Sequence, residues 1–494
     1  MDWRTEYKSR LLSAEEAVKE VKSGDRVSIP VGTEPGSLIR ALFDRASELR
    51  GVTVNTVAAS TDVGWYDEGY EDSFTIDVVN YAGGVARRAL DAKRATFTPD
   101  IHHMMNKVYS DERRRGQRKE IDVLMIQTTP PNSQGYVNIG PSLWWKRLHA
   151  MRARKVLAEV NEKLQWCFGD TFLHVSQVHG FTVYSPLMLS QEEVERRLQD
   201  DVPEGRREKV RQLLMERPPD TWERMLALIG TAPQSVFDWA MRVTGLADPT
   251  DVEKTIWQYA QTLINDGDCI QIGVGTPSAY CHSCRALDEK VDLGYHSEMT
   301  ARGIAQYIDA GVISGRRKNF MPGKAIASAW EGASPMDLEI IDSNPRFELY
   351  NPTWTEDPRV LSQNDNQVAI NNAIYIDFTG QVNAETGVGG RMINGLGGQL
   401  DTVLGALLSR GGRSIHLLRS TGLDGAVSSI VPQLEAGMAV TTPRGLVDYV
   451  VTEYGIANLM GKNFRERAAE LIAVAHPDFR AELTREAQAL FYPS

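Results

Sequence analysis

Gly24-Asp25-Arg26-Val27-Ser28-Ile29-Pro30-Val31-Gly32-Thr33 is matched later in the chain by Gly267-Asp268-Cys269-Ile270-Gln271-Ile272-Gly273-Val274-Gly275-Thr276. In each copy an amphipathic run precedes Gly-Asp, an alternating apolar stretch follows, and Val-Gly-Thr leads into a helical run that reaches Ala-Leu. A helix–turn–strand–glycine turn–helix unit used twice predicts two related α/β halves. The copies then diverge. The second is followed by Gly294-Tyr295-His296-Ser297-Glu298-Met299, whereas the first has Val52–Ser60 at the comparable place, with no acid. One half carries a carboxylate and its twin does not.

Elsewhere the chain alternates the same two patterns. Ala14–Val21 and Ser37–Glu48 read as helices; Arg26–Val31, Val52–Ala58 and Lys155–Val160 read as strands. Ile121–Thr128 is a short apolar run of the buried-strand kind, closed by the turn signal Pro130-Pro131-Asn132-Ser133-Gln134-Gly135. Ser142–Ala153 reads as helical. From about Gln191 to Val252 the texture changes to Glu, Arg, Leu and Met at helical spacing, with Arg207–Met215 and Thr221–Ile229 as the clearest helices. Alternation resumes with a helix over Asp251–Asn265 and strands at Cys269–Val274, Asn371–Ile376 and Arg413–Leu418. The end is helical over Arg465–Ala473 and Ala481–Leu490. The expected organisation is an N-terminal α/β domain over 1–190, a helical connector over 191–252 and a C-terminal α/β domain over 253–494, with mostly parallel sheets.

At 494 residues, two sizeable domains are the natural division. Hydrophobic residues make up 42% and charged residues 24%, ordinary for a soluble enzyme. The net charge of −11 disfavours a nucleic-acid partner, which demands a basic surface. Arg316, Arg317, Lys318 and Lys324 form one local basic cluster, read either as an anion-binding patch or as a solvated loop. The opening residues are charged and unlike a signal peptide. No run approaches the ~18 apolar residues of a membrane span. Four cysteines are too few for a disulfide framework, and a reducing cytoplasm is expected. Cys281-His282-Ser283-Cys284 lacks a second ligand pair within a helical run over Ser278–Leu287, so no metal site is expected.

Glu298 follows a plausible strand, and Thr300 is placed to cap a helix over Ala301–Ala310. In an open α/β sheet the crevice beyond the strand carboxyl ends binds ligands. A carboxylate there suits nucleophilic attack, or is a surface acid near a helix start. Gly273–Pro277 lies between strand and helix, where free backbone N–H groups can hold an oxyanion or simply form a tight turn. Gly387, Gly389, Gly390, Gly395, Gly397 and Gly398 exceed the needs of one turn and suggest backbone lying against a ligand before the helical run Thr402–Leu408. They form no Walker loop. Glu453 sits at a strand end before a turn, where it could orient a substrate. His296, two residues before Glu298, either orients that carboxylate or packs.

These segments together resemble the acetyl-CoA hydrolase/transferase family of class I CoA-transferases, in particular its 4-hydroxybutyrate CoA-transferase branch. The resemblance is carried by Gly24-Asp25, Gly169-Asp170, Gln271–Gly275, Leu293–Met299, Leu361–Asn366, Gly397-Gly398-Gln399-Leu400-Asp401, Val440–Gly455 and Ala475-His476, in one order over most of the chain. It departs in the long segment 191–252, in Tyr295, and in Trp65, Trp144, Trp145 and Trp354 beside matched segments. The resemblance implies CoA transfer from an acyl-CoA to a short free carboxylate such as 4-hydroxybutyrate or acetate, or alternatively hydrolysis of the acyl-CoA. It implies Glu298 as the nucleophile, with Val274, Gly275, Gly397 and Gly398 in the oxyanion and acyl-CoA loops. Gln363, Asn364 and Glu453 would orient substrate, and Lys324 is a candidate contact for coenzyme A. Acyl-CoA and a carboxylic acid are the implied partners, without metal, nucleic acid or membrane, in a homodimer.

Overall fold

The computed structural model of the chain describes residues 2–57, 61, 63–79, 84–105, 107, 120–186, 188–215, 217, 219–226, 237, 241, 247–330 and 334–493. Two parallel sheets organise them. The first is built from β1 (Arg26–Ile29), β2 (Val52–Thr56), β3 (Phe74–Val79), β4 (Ala95–Thr98), β5 (Val123–Thr128), β6 (Lys155–Val160) and β7 (Gly180–Val183), in the order β7-β6-β5-β1-β2-β3-β4. The second contains β8 (Cys269–Ile272), β9 (Gly294–His296), β10 (Ala325–Ala327), β11 (Phe347–Leu349), β12 (Gln367–Asn372), β13 (Arg413–Leu417) and β14 (Tyr449–Thr452), in the order β14-β13-β12-β8-β9-β10-β11. The two orders are the same path drawn twice. The doubled Gly-Asp unit supplies β1 and β8, each flanked by its equivalents on both sides.

The strands read as continuous apolar runs because helices and the other half cover both faces. All six residues of β5 are buried, as are all four of β8. Between β1 and β2 the helix Gly36–Phe43 turns Leu38, Ile39, Ala41 and Leu42 inward, the spacing of one helix face. The matching stretch after β8 takes another course. It holds only a 3₁₀ turn at Ser278–Tyr280 followed by turns, not the expected helix to Leu287. Its Ser, Cys, Tyr and His residues are indifferent helix formers, and the Ser278 hydroxyl is bonded to the carbonyls of Gly273 and Gly275.

The second sheet is extended at both edges. Gly455–Asn458 folds back antiparallel on β14, and Phe168–Gly169, from the first half, joins β11 in parallel. The halves therefore interlock. Leu143 and Trp144 donate their N–H groups to the Ser328 carbonyl at 3.2 Å, and Trp330 donates to that of Pro141 at 2.8 Å.

The 191–252 segment is helical at Gln191–Asp201, Arg207–Met215 and Trp222–Met225, and it closes a small apolar cluster of its own around Leu198, Val210, Leu214 and Trp222. Ser190 caps the first of these helices through Glu193 N–H. Residues 227–229 of the expected third helix lie outside the described residues, as do Ala58–Ser60 beyond β2. Helix Asp251–Ala260 begins at a Thr250/Glu253 capping box and buries Ile256 and Trp257 in the main core. The expected strand Asn371–Ile376 is two pieces. β12 starts earlier, at Gln367, and Tyr375–Asp377 belongs to a separate three-stranded sheet. Helices Phe464–Ala473 and Pro477–Phe491 close the chain. Among the described residues, no helix is long and apolar enough to cross a membrane.

Candidate active site

β9 ends at His296, and the chain bends at Glu298. The carbonyl of Glu298 accepts N–H groups from Ser328 at 2.7 Å and Ala329 at 3.2 Å, which pins the bend to the seam between the halves. Thr300 does not cap a helix. Its hydroxyl donates to Ala329 O at 2.6 Å, and the following helix starts only at Ile304, after Gly303 with φ +85°. Thr300 thus fastens the bend that turns Glu298 outward.

Glu298 faces a cavity of about 310 Å³. The β8 turn contributes Gly273, Val274, Gly275 and Thr276; the glycine-rich segment contributes Gly395, Gly397 and Gly398; the first half contributes Val31, Val57, His102 and Trp144. Val31 and Val57 follow β1 and β2, so the unarmed copy of the repeat supplies apolar wall where the armed copy supplies Glu298. Gly398 precedes helix Gln399–Leu408, and its backbone lies beside the Glu298 carboxylate, where it favours the charged form. The β8 turn is braced from beneath: Asn372 Nδ2 donates to Val274 O at 3.3 Å, and Gln399 Nε2 donates to Asn372 O at 3.2 Å.

Three groups distant in sequence meet behind Glu298. His102 Nδ1 lies 2.7 Å from Glu356 Oε2 and 3.5 Å from Glu298 Oε1. Asp401 stands nearby, paired at 2.7 Å with His103. The Glu356 side chain is wholly buried, while Glu298 keeps 17% exposure at the cavity. Burial, reinforced by Glu356 and opposed by His102, pushes the Glu298 carboxyl up to about 8. Water at its exposed face tempers that effect. Burial, with Asp401 adding to it, raises Glu356 well above the carboxylate range. The hydrogen bond to Asp401 raises His103.

Of the residues singled out in the sequence, Glu298, Val274, Gly275, Gly397 and Gly398 meet at this cavity. The others stand elsewhere. Gln363 is exposed and donates to the Arg359 carbonyl at 3.2 Å. Asn364 is buried and accepts the Phe320 N–H at 3.1 Å. Glu453 is held by the N–H and hydroxyl of Ser420 at 3.0 and 2.6 Å. Lys324 precedes β10, at the amino ends of the strands opposite Glu298, and pairs with Glu348 at 2.7 Å. The basic cluster around it is internally spent: Arg316 and Arg317 face Asp292, and Lys318 is buried with its Nζ on the Tyr295 and Lys324 carbonyls. These four side chains therefore tie the fold together and do not line the cavity. His296 is buried, pushed down to about 3 by desolvation, and bonded through Nε2 to Thr355 O at 2.9 Å. It packs, and in doing so fastens the segment that carries Glu356.

Of the tryptophans, Trp144 lines the cavity. Trp145 packs edge-on against His102 behind it, Trp65 belongs to the first core, and Trp354 packs on Tyr350. His102, Glu356 and Asp401 were not selected from the sequence as site residues. A faint signal existed only for Asp401, inside the matched Gly397–Asp401 motif.

Comparison with known proteins places this arrangement. The family model for the acetyl-CoA hydrolase/transferase N-terminal domain matches residues 1–191, and that for the C-terminal domain matches residues 336–487. The 4-hydroxybutyrate coenzyme A transferase of Clostridium kluyveri is 33% identical, covering 99% of this chain and 100% of that protein. Succinyl-CoA:cyclohexane-1-carboxylate CoA transferase of Geobacter metallireducens is 31% identical over 99% and 97% of the two chains. The crystal structure of RipA from Yersinia pestis superposes with a TM-score of 0.80 at 27% identity, covering 99% of each chain. The chain, with its twice-drawn sheet, belongs to the acetyl-CoA hydrolase/transferase family and is an enzyme of the CoA-transferase type.

Proposed function

We propose that this enzyme moves coenzyme A from an acyl-CoA to a free short-chain carboxylate, of the 4-hydroxybutyrate or acetate kind, with Glu298 as covalent nucleophile. The observation that carries the reading is a carboxylate held at a strand-end bend, facing a cavity whose rim carries glycine backbone from two separate segments.

In this reading the Glu298 carboxylate attacks the thioester carbonyl carbon. The C–S bond breaks, CoA leaves as thiolate, and an acyl-glutamyl anhydride remains. The thiolate then attacks the glutamyl carbonyl and expels the first carboxylate, giving a glutamyl-CoA thioester that an acceptor carboxylate resolves by the reverse path. The kinetics are ping-pong. A carboxylate nucleophile needs no general base, which accords with a buried, unprotonated His296. Each tetrahedral intermediate needs donors for its oxyanion. The amides of Val274 and of Gly397 or Gly398 are the candidates, each worth about 3 kcal/mol by analogy with similar donors. The chemistry requires no metal. A cytoplasmic homodimer is the assembly this reading carries; four free thiols support the compartment.

Hydrolysis by the same glutamate is the second reading, favoured by the 17% exposure of Glu298, which gives water access. Net thiol release without an acceptor would distinguish it from label moving between acetate and CoA thioester. Glu298→Ala is expected to abolish transfer with the circular dichroism spectrum intact, and borohydride is expected to trap Glu298 after exposure to butyryl-CoA. Full activity in the alanine variant refutes the reading.

A further inference from the structure

A second carboxylate stands behind the first, and among the described residues no lysine or arginine pairs with it. Glu356 is fully buried; its Oε2 takes the His102 Nδ1 contact at 2.7 Å, and its Oε1 has no partner among the described residues. The contacting atoms of His102, Glu298 and Glu356 all lie within 4.8 Å of one another. Gly398 leaves room for both acids: a Cβ there would lie 1.9 Å from Glu356 Oε2 and 2.8 Å from Glu298 Oε2.

The groups facing Glu356 come from four elements. Glu298 comes from the bend after β9, and His102 from the 3₁₀ turn His102–Met104. Asp401 comes from helix Gln399–Leu408, and its partner His103 from the same 3₁₀ turn as His102. On Glu356's own segment, Asp357 is engaged by Arg359 at 2.9 Å. Among the described residues, no lysine or arginine forms an ion pair with Glu298 or Glu356.

Two carboxylates within 4.8 Å of one another, with no lysine or arginine paired to either among the described residues, favour holding one proton between them. The unpartnered Oε1 decides where it sits. An ionised oxygen sealed from water and lacking a donor is far costlier than a neutral acid. Glu298 has the cavity, with 17% of its side chain exposed; Glu356 is wholly buried.

We propose that Glu356 is a positioning residue acting through His102: the pair keeps one proton beside Glu298 and turns the Glu298 carboxylate, ionised, toward the cavity. His102 Nδ1–H is the shared donor, nearer Glu356 and within reach of Glu298. When Glu298 becomes an anhydride or thioester its charge disappears, and the donor passes wholly to Glu356. The proposal rests on Glu298 being the nucleophile. It also gives Glu356 a consequence that a packing role lacks. Above the pH at which the second proton is lost, a second negative charge stands beside the nucleophile and opposes both substrate carboxylate and departing thiolate.

The test is the pH profile of kcat/KM for full-length protein, with butyryl-CoA as donor and acetate as acceptor, from pH 5.5 to 10. Wild type is expected to give a bell. Glu356→Ala is expected to lose on the order of 10²-fold in kcat with little change in KM, as for a misplaced reacting group. Glu356→Gln, the isostere of the neutral acid, is expected to recover roughly a tenfold part of that loss and to abolish the alkaline limb. An alkaline limb unchanged in Glu356→Gln overturns the proposal. So does a wild-type profile without that limb, or a glutamine variant that fails to fold, because the amide mimics the state the proposal requires. Borohydride trapping separates the two levels. If wild type yields no adduct at Glu298, the nucleophile reading itself falls. If the adduct forms and the glutamine profile is unchanged, only the role of Glu356 falls.

Discussion

Replacing Gly398 by alanine tests the site with one methyl group. The backbone there has φ −92° and ψ 10°, a negative-φ bridge conformation open to alanine at modest cost. The effect is therefore mainly steric. The new Cβ would stand 1.9 Å from Glu356 Oε2, 3.0 Å from Glu356 Cδ and 2.8 Å from Glu298 Oε2. Glu356 is enclosed on every side and cannot swing to solvent, so Glu298 or the helix start must move. Overpacking of this kind costs about 1–3 kcal/mol, a loss of a few degrees in Tm. The catalytic loss is larger. Shifting a reacting group by about 1 Å costs on the order of 10²-fold, and weakening an oxyanion donor about 10²–10³-fold. Gly398→Ala is expected to lower kcat for butyryl-CoA-to-acetate transfer by roughly 10²–10³-fold while the protein stays folded. Gly397→Ala is the control. Its φ is +58° and an added Cβ meets nothing within 4 Å, so only left-handed strain of about 1–2 kcal/mol is expected, with less than about a tenfold loss in rate. Steady-state kinetics with thermal melts on both variants read the difference. A Gly398→Ala enzyme within threefold of wild type refutes the packing of the two carboxylates against that glycine.

Two further outcomes follow from the same geometry. Burial and their closeness raise the Glu298 and Glu356 carboxyls together, Glu298 to about 8 against an ordinary 4.5, so between those pH values the folded protein holds a proton, shared by the pair, that the unfolded chain has lost. Wild-type stability therefore falls as pH rises through that window. Glu356→Gln removes the carboxyl that holds this proton, so its Tm relative to wild type is expected to be higher at pH 9 than at pH 5, and equal differences at both would contradict the assignment. The described cavity-lining residues include no lysine or arginine, while Glu298 supplies negative charge. Succinate is accordingly expected to be at least tenfold poorer than butyrate as acceptor in kcat/KM, about 1.4 kcal/mol of discrimination; a better kcat/KM for succinate would show that a cation enters the site.

Much of the architecture was legible because it is written in local periodicity. The Gly-Asp units, the alternating runs after them and the apolar run at β5 each declare a buried parallel strand. The helices at Gln191–Asp201 and Arg207–Met215 announced themselves by the loss of that pattern. What failed locally failed where hydrogen bonding outweighed periodicity. Ser278 bonds back into the glycine turn and interrupts a helix, and Thr300 ties to Ala329 instead of capping one. Gln363 and Glu453 sat in matched motifs, yet Gln363 bonds the Arg359 carbonyl and Glu453 holds a turn to Ser420, contacts that a linear reading does not separate from contacts to a ligand.

The sequence by itself determined that the chain is two copies of one α/β unit, and that only one copy leads to an acid at a strand end. Strand period, glycine turns and the order of motifs are all properties of neighbouring residues, so a linear reading recovers them. Only the tertiary structure decided what surrounds that acid. His102 and Glu356 are 254 positions apart and touch at 2.7 Å. Glu356 reads, in Trp354-Thr355-Glu356-Asp357-Pro358, as an ordinary turn acid. It becomes a buried carboxylate, with no lysine or arginine paired to it among the described residues, because His296 fastens Thr355 and His102 of the first half packs against it. Burial and charge pairing depend on which surfaces meet, and that is fixed only when the two halves interlock.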